Sequence, residues 1–138
     1  MLASWAGLGY YSRARKLQRA AREIVSRHEG DFPREYQAAL GLPGIGRYTA
    51  AAVLSIAYDE PHAVLDGNVA RVLARIGAIH GDLRATAMWR RFEAAAQDLL
   101  ARNAAGDWNQ AMMELGATVC TPQSPRCGDC PIAEWCRA

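Results

Sequence analysis

The sequence predicts an all-α protein with a cysteine-bearing loop at its C-terminal end. Three observations lead there. Apolar residues recur at helical spacing in segment after segment. No segment shows sustained period-two alternation, so no sheet is expected. All four cysteines, Cys120, Cys127, Cys130 and Cys136, fall in the last nineteen of 138 residues, spaced C-x6-C-x2-C-x5-C.

The elements follow in order. Ser12 to His28 places Ala14, Leu17, Ala20, Ala21, Ile24 and Val25 on one helical face, with Gly30 as the stop and Pro33 beyond it. A short helix is predicted from Arg34 to Leu40. Arg47 to Tyr58 is apolar nearly all round, which predicts a buried central helix. Gly67 to Ile79 aligns Val69, Val72, Leu73 and Ile76. Thr86 to Ala101 aligns Trp89, Phe92, Ala96 and Leu99. Asp107 to Val119 carries Trp108, Ala111, Met112, Leu115 and Val119. There is no internal repeat or low-complexity tract. The organisation expected is a helical core over 1–118 followed by a metal or cluster loop over 119–138.

Composition narrows the class. A chain of this length can bury a modest core, and 51% of its residues are hydrophobic. No apolar run approaches the roughly 18 residues of a membrane span. Met1-Leu2-Ala3-Ser4-Trp5 lacks the basic-then-apolar pattern of a signal peptide. A reducing, cytoplasmic setting is therefore expected, with no membrane partner. The net charge of +2 hides an asymmetry: Arg13 to Arg34 holds seven basic residues against three acidic ones. Such a stretch is either a solvated helix face or a nucleic-acid patch.

Four thiols this close together point to a shared ion or cluster rather than disulfides, which need an oxidising compartment. Structural zinc sites usually come as two close pairs. Here only Cys127 and Cys130 form one. The uneven spacing leans towards an iron–sulfur cluster, whose corners take thiolates from several directions.

Three further motifs carry chemistry. In Leu42-Pro43-Gly44-Ile45-Gly46, two glycines permit a tight turn before a helix, the pattern of a helix-hairpin-helix. Turn amides and a helix N-terminus make a site for an anion such as a DNA phosphate, with Arg47 adjacent. An ordinary helix–helix turn is the plainer reading. In Leu65-Asp66-Gly67-Asn68-Val69, Asp66 is placed to cap a helix. The same carboxylate, favoured as an anion by the helix dipole, suits stabilisation of a sugar cation, and the two roles are compatible. In Trp5 to Arg13, glycines flank Tyr10 and Tyr11 ahead of arginines, which suits a ring offered to a base stack. Burial of those tyrosines in a core is the alternative. His28, His62 and His80 show no ligand spacing.

Read together, G-L-G-Y-Y-S-R-A-R at 7–15, L-P-G-I-G-R-Y-T-A at 42–50, L-D-G-N-V-A-R-V at 65–72, N-Q-A-M-M-E-L-G-A at 109–117 and the cysteine quartet resemble the adenine DNA glycosylases of the MutY type. These belong to the helix-hairpin-helix superfamily that also contains endonuclease III. The resemblance spans essentially the whole chain. It implies a helix-hairpin-helix glycosylase fold and a four-iron four-sulfur (4Fe-4S) cluster on Cys120, Cys127, Cys130 and Cys136. It also implies a monomer that hydrolyses the N-glycosidic bond of adenine mispaired with 8-oxoguanine or guanine in duplex DNA.

Carried over by residue, Asp66 matches the essential aspartate that stabilises the oxocarbenium-like transition state. Tyr48 occupies the position beside the reacting site, and Asn68 supports that site by hydrogen bonding. Tyr10 matches the duplex wedge. Gly44, Ile45, Gly46 and Arg47 form the phosphate-holding hairpin. Endonuclease III-like enzymes carry a Schiff-base lysine where this chain has Tyr48; the sole lysine here is Lys16, in another motif. The resemblance therefore implies a monofunctional glycosylase.

Two family features have no counterpart among these residues. One is an upstream helix whose glutamate is the general acid. The other is the C-terminal domain that helps recognise 8-oxoguanine. The chain is expected to begin mid-domain, as a fragment, a misplaced start or a degenerate paralogue, and to excise little adenine by itself. The competing readings are a non-catalytic DNA-binding module with a structural cluster, an endonuclease III-like glycosylase, and a small zinc-binding helical domain.

Overall fold

A computed structural model describes residues 5–82 and 85–138. Met1, Leu2, Ala3 and Ser4, from the segment read above for a signal peptide, lie outside the described residues. Six α-helices run in the predicted order: α1 Tyr11–Arg27, α2 Tyr36–Gly41, α3 Arg47–Tyr58, α4 Gly67–Ile76, α5 Thr86–Leu99 and α6 Ala105–Thr118. Two 3-10 turns follow, Cys127–Asp129 and Ala133–Trp135. Among the described residues there is no strand, and no helix is long and apolar enough to cross a membrane. The chain divides into two compact units, Met1–Ala50 and Ala51–Ala138, with α3 running from one into the other.

The first unit is built on small side chains. Ala14, Ala20, Ala39, Leu42 and Ala50 are buried, whereas Leu17 and Val25 from the predicted apolar face of α1 stay exposed. Alanine permits close backbone approach but buries little area per residue, so this core is thin. Glu35 caps α2 by accepting the Ala38 N–H at 2.6 Å.

The second unit holds the larger core. Leu65, Val69, Val72, Leu73, Phe92, Ala96 and Met112 pack together around α4, which lies against both α5 and α6. Helix α4 was expected to reach Ile79 but ends at Ile76. Ala78 takes a left-handed conformation (φ 48°), and the N–H groups of Ala78 and Ile79 close back on Arg75 O and Ala74 O. This is a Schellman-type stop in which the residue after the glycine, not Gly77, adopts the positive φ. Helix α5 stops at Leu99 rather than Ala101 because Leu100 leaves it with ψ 126° and is buried. Helix α3 is less buried than its composition predicts. Ala50, Ala51, Leu54 and Ser55 face inward, while Tyr48 and Ile56 are exposed.

Candidate functional site

Two groups of predicted residues lie in the first unit. Gly7 (φ 84°), Gly9 (φ 67°) and Tyr10 (φ 46°) are all left-handed. The Trp5 indole N–H donates to Gly9 O at 3.0 Å and pins this turn. Tyr10 is the N-cap of α1 and is 80% exposed, so it is no core residue. A bulky non-glycine in this conformation costs about 1–3 kcal/mol, and such outliers gather at functional sites. The aromatic ring projects because the turn forces it to.

Between α2 and α3, the Ile45 N–H closes on Leu42 O at 3.1 Å. Pro43 precedes Gly44, whose φ is 81°. This is a type II turn, which needs a glycine at its third position. Gly46 follows a different logic. It has no positive φ, and a Cβ built there would meet nothing within 4 Å. Of the two glycines expected to permit the tight turn, Gly44 alone has a positive φ. Gly46 keeps the approach to the start of α3 open. Arg47 and Tyr48 form the first turn of α3, where the helix dipole favours an anion.

The second unit positions Asp66. Its backbone is extended, and Oδ1 accepts the Val69 N–H at 2.8 Å, capping α4. The cap engages Oδ1 of a half-buried carboxylate. The approach to Asp66 is held by Asn109, a residue the sequence reading placed in a motif without a role. Asn109 is 2% exposed. Its Oδ1 accepts the Val64 N–H at 3.0 Å, and its Nδ2 donates to Ser55 Oγ at 2.9 Å and His62 O at 2.8 Å. One carboxamide thus ties α6 to α3 and to the strand-like lead into α4.

Asn68 faces α6. Its Oδ1 accepts from Arg71 Nη2 at 3.0 Å, and the same nitrogen donates to Gly116 O at 2.7 Å. A Cβ on Gly116 would stand 2.8 Å from Asn68 Cβ. Arg71 Nε also donates to Cys120 O at 2.9 Å. One turn later, Arg75 Nη1 donates to Cys120 Sγ at 3.2 Å, Cys120 O at 3.2 Å and Thr121 O at 2.8 Å, while its Nη2 reaches Pro122 O at 3.2 Å. These two arginines were missed by sequence reasoning. Their i, i+4 spacing on the helix after Asp66 was the available signal. They bind the cysteine segment to α4, so the carboxylate and the thiol loop share one rigid helix.

All four thiols are free and wall one cavity of about 240 Å³, shared with Arg75, Val119 and Pro125. Their common wall fits a group held by all four, and the Arg75 guanidinium stands beside Cys120 Sγ.

Two further carboxylates have defined places. Glu35 caps α2, and Glu114 sits exposed on α6.

Two family models match separate stretches of the chain. Residues 1–102 match the family of HhH-GPD superfamily base excision DNA repair proteins, and residues 120–136 match the iron–sulfur binding domain of endonuclease III. The adenine DNA glycosylase of Homo sapiens is 52% identical over 97% of this chain and 25% of its own length. That of Mycolicibacterium smegmatis is 44% identical over 99% of this chain and 46% of its own. The chain thus spans less than half of these curated relatives. Among solved structures, a thermostable thymine-DNA glycosylase superposes with a TM-score of 0.80 at 31% identity, over 91% of this chain and 58% of that one. A trapped endonuclease III–DNA covalent intermediate does so at 0.74 and 29%, over 94% and 59%. The cysteine segment is an iron–sulfur binding segment, with Cys120, Cys127, Cys130 and Cys136 as its thiols.

Proposed function

The chain belongs to the HhH-GPD superfamily of base excision DNA repair proteins, and from that premise we propose that it is the core of a monofunctional adenine DNA glycosylase. The proposed substrate is duplex DNA with adenine opposite 8-oxoguanine or guanine. The hairpin at Gly44, Ile45, Gly46 and Arg47 seats a backbone phosphate. Tyr10 enters the duplex and offsets part of the cost of flipping the adenine out of the stack.

Asp66 then faces the deoxyribose. As the bond from C1′ to the adenine nitrogen breaks, its electron pair leaves with the base and positive charge develops on the sugar. The Asp66 carboxylate stabilises that charge. Water adds to C1′, and the proton it loses balances the one the departing base takes up, which yields free adenine and an abasic sugar. Asn68 and Arg71 hold the start of α4 in place during these steps. Tyr48 contributes no amine, so no Schiff base forms and the strand stays intact. The cluster, when bound, supplies a fixed scaffold for the 119–138 segment.

The observation that carries this reading is Asp66 itself. It is an N-cap aspartate with one oxygen engaged, on the helix that also anchors the thiol loop. Single-turnover assay of the whole glycosylase on an adenine:8-oxoguanine duplex tests it. Strand breaks should appear only after alkali, and Asp66→Asn should abolish them. Breaks without alkali would overturn the monofunctional assignment, and wild-type rates in Asp66→Asn would remove Asp66 from the mechanism.

A further inference from the structure

We propose that Lys16 is a DNA-binding residue that adds its ammonium to the phosphate seated on the hairpin. The inference rests on the hairpin being a phosphate site and extends that site to a second element, α1. A Cβ placed on Gly44 would lie 2.7 Å from Lys16 Cβ, 3.3 Å from Cγ and 3.0 Å from Cδ. The methylene stem of Lys16 therefore lies along the glycine face of the turn. The residue as a whole is exposed. This is the arrangement of a snorkelling lysine, with its stem on the backbone and its charge in solvent.

The ammonium is two bonds beyond Cδ, so the packed stem fixes it at the rim of the hairpin. The consequence for Gly44 is twofold. A side chain there would meet both the strain of φ 81° and the lysine stem. Lys16 also shares its helix with Tyr10. At 1.5 Å per residue the two stand about 9 Å apart along α1. One helix thus offers a ring for the base stack and a cation for the backbone of the same duplex. Arg13 and Arg19, both exposed, flank Lys16 at i−3 and i+3 and keep this face positive.

A phosphate contact contributes to affinity without sequence information and releases counterions. Lys16→Met keeps the stem and removes the charge, and Lys16→Arg keeps the charge. Using the 138-residue chain and short matched and adenine:8-oxoguanine duplexes, Lys16→Met should flatten the slope of log K against log salt by about 0.9. The loss should be equal on both duplexes, and Lys16→Arg should restore the slope. Lys16 is the only lysine in the chain, so acylation followed by peptide mapping, which separates it from the α-amine, reads it directly. Bound duplex should protect it.

An unchanged slope in Lys16→Met, with acylation equally fast with and without duplex, would overturn the inference. Gly44→Val separates the two levels. Weakened binding by Gly44→Val alongside those results rejects Lys16 only. Undiminished binding by Gly44→Val rejects the hairpin site, and Lys16 with it.

Discussion

Tyr10 is held out by backbone, not by packing. Its left-handed conformation stores strain that only the surrounding turn maintains. Tyr10→Gly should therefore raise folding stability, by about 1 kcal/mol, because glycine tolerates this conformation. The same change should weaken binding to a lesion duplex. Thermal melting and duplex titration of one variant check both signs, and a drop in melting temperature would return Tyr10 to the core. Asn109 behaves in the opposite way. It is buried, and three partners depend on its carboxamide. Asn109→Leu would leave the Val64 N–H without its partner and take one bond each from the His62 carbonyl and from the Ser55 hydroxyl, which keeps its bond to Ala52 O. A buried orphan costs about 1–3 kcal/mol, so a loss of at least that order is expected in denaturant unfolding. A near-neutral effect would mean that water replaces the side chain.

At the scale of elements, α6 meets α3 and α4 through absent side chains. Gly106 approaches Ser55 O, and Gly116 approaches Asn68, each so closely that a Cβ would need 2.7–2.8 Å. The neighbours there are backbone and the root of a side chain, so neither can swing aside. Gly116→Ala should cost about 1–3 kcal/mol, the usual range for overpacking. It should also displace Asn68, so excision by the whole glycosylase should fall more than duplex binding does. Equal loss of both would mean that Gly116 acts on folding alone. The same helix anchors the thiol loop. Arg75→Gln removes charge-assisted bonds to Cys120, Thr121 and Pro122, and cluster content should fall in proportion. Iron and acid-labile sulfide, assayed in anaerobically purified protein, should be equal in the wild type. Zinc without sulfide, in protein made with adequate iron, would contradict the cluster.

At the scale of the whole molecule, chemistry and binding are separable. Asp66 supplies an anion, and Glu35 is engaged in a cap. The family resemblance implies that the acid protonating adenine lies on a helix upstream of the first motif. General acid catalysis is typically worth about 10²–10⁴ in rate. Residues 1–138 alone should therefore bind duplex DNA while excising adenine at least about 100-fold more slowly than the whole glycosylase. Robust turnover by the 138-residue chain would show that a carboxylate within it, such as Glu114, does the protonation.

Much of this protein was legible before any coordinates. Helical spacing set six helices in order, because periodicity and caps are local properties. Cysteine spacing and the order of five motifs were enough to point to the family, since both are written along the chain. The places where reading failed are those where a distant contact decides. Leu100 left α5 to be buried, and Ala78, not a glycine, took the turn after α4. Gly46 needed no special φ. Leu17 and Val25 lay on the right helical face and stayed in solvent, because a face is buried only when something covers it. Arg71, Arg75 and Asn109 looked like ordinary residues of amphipathic helices. The i, i+4 spacing puts the two arginines on one face of α4, but their roles come from partners about fifty positions away in the chain, which that spacing does not name. The sequence by itself determined the helices, the thiols and the aspartate. Tertiary structure alone decided that one short helix carries the aspartate at its start and grips the thiol loop along its length, since only folding brings residues 66–75 against 116–122.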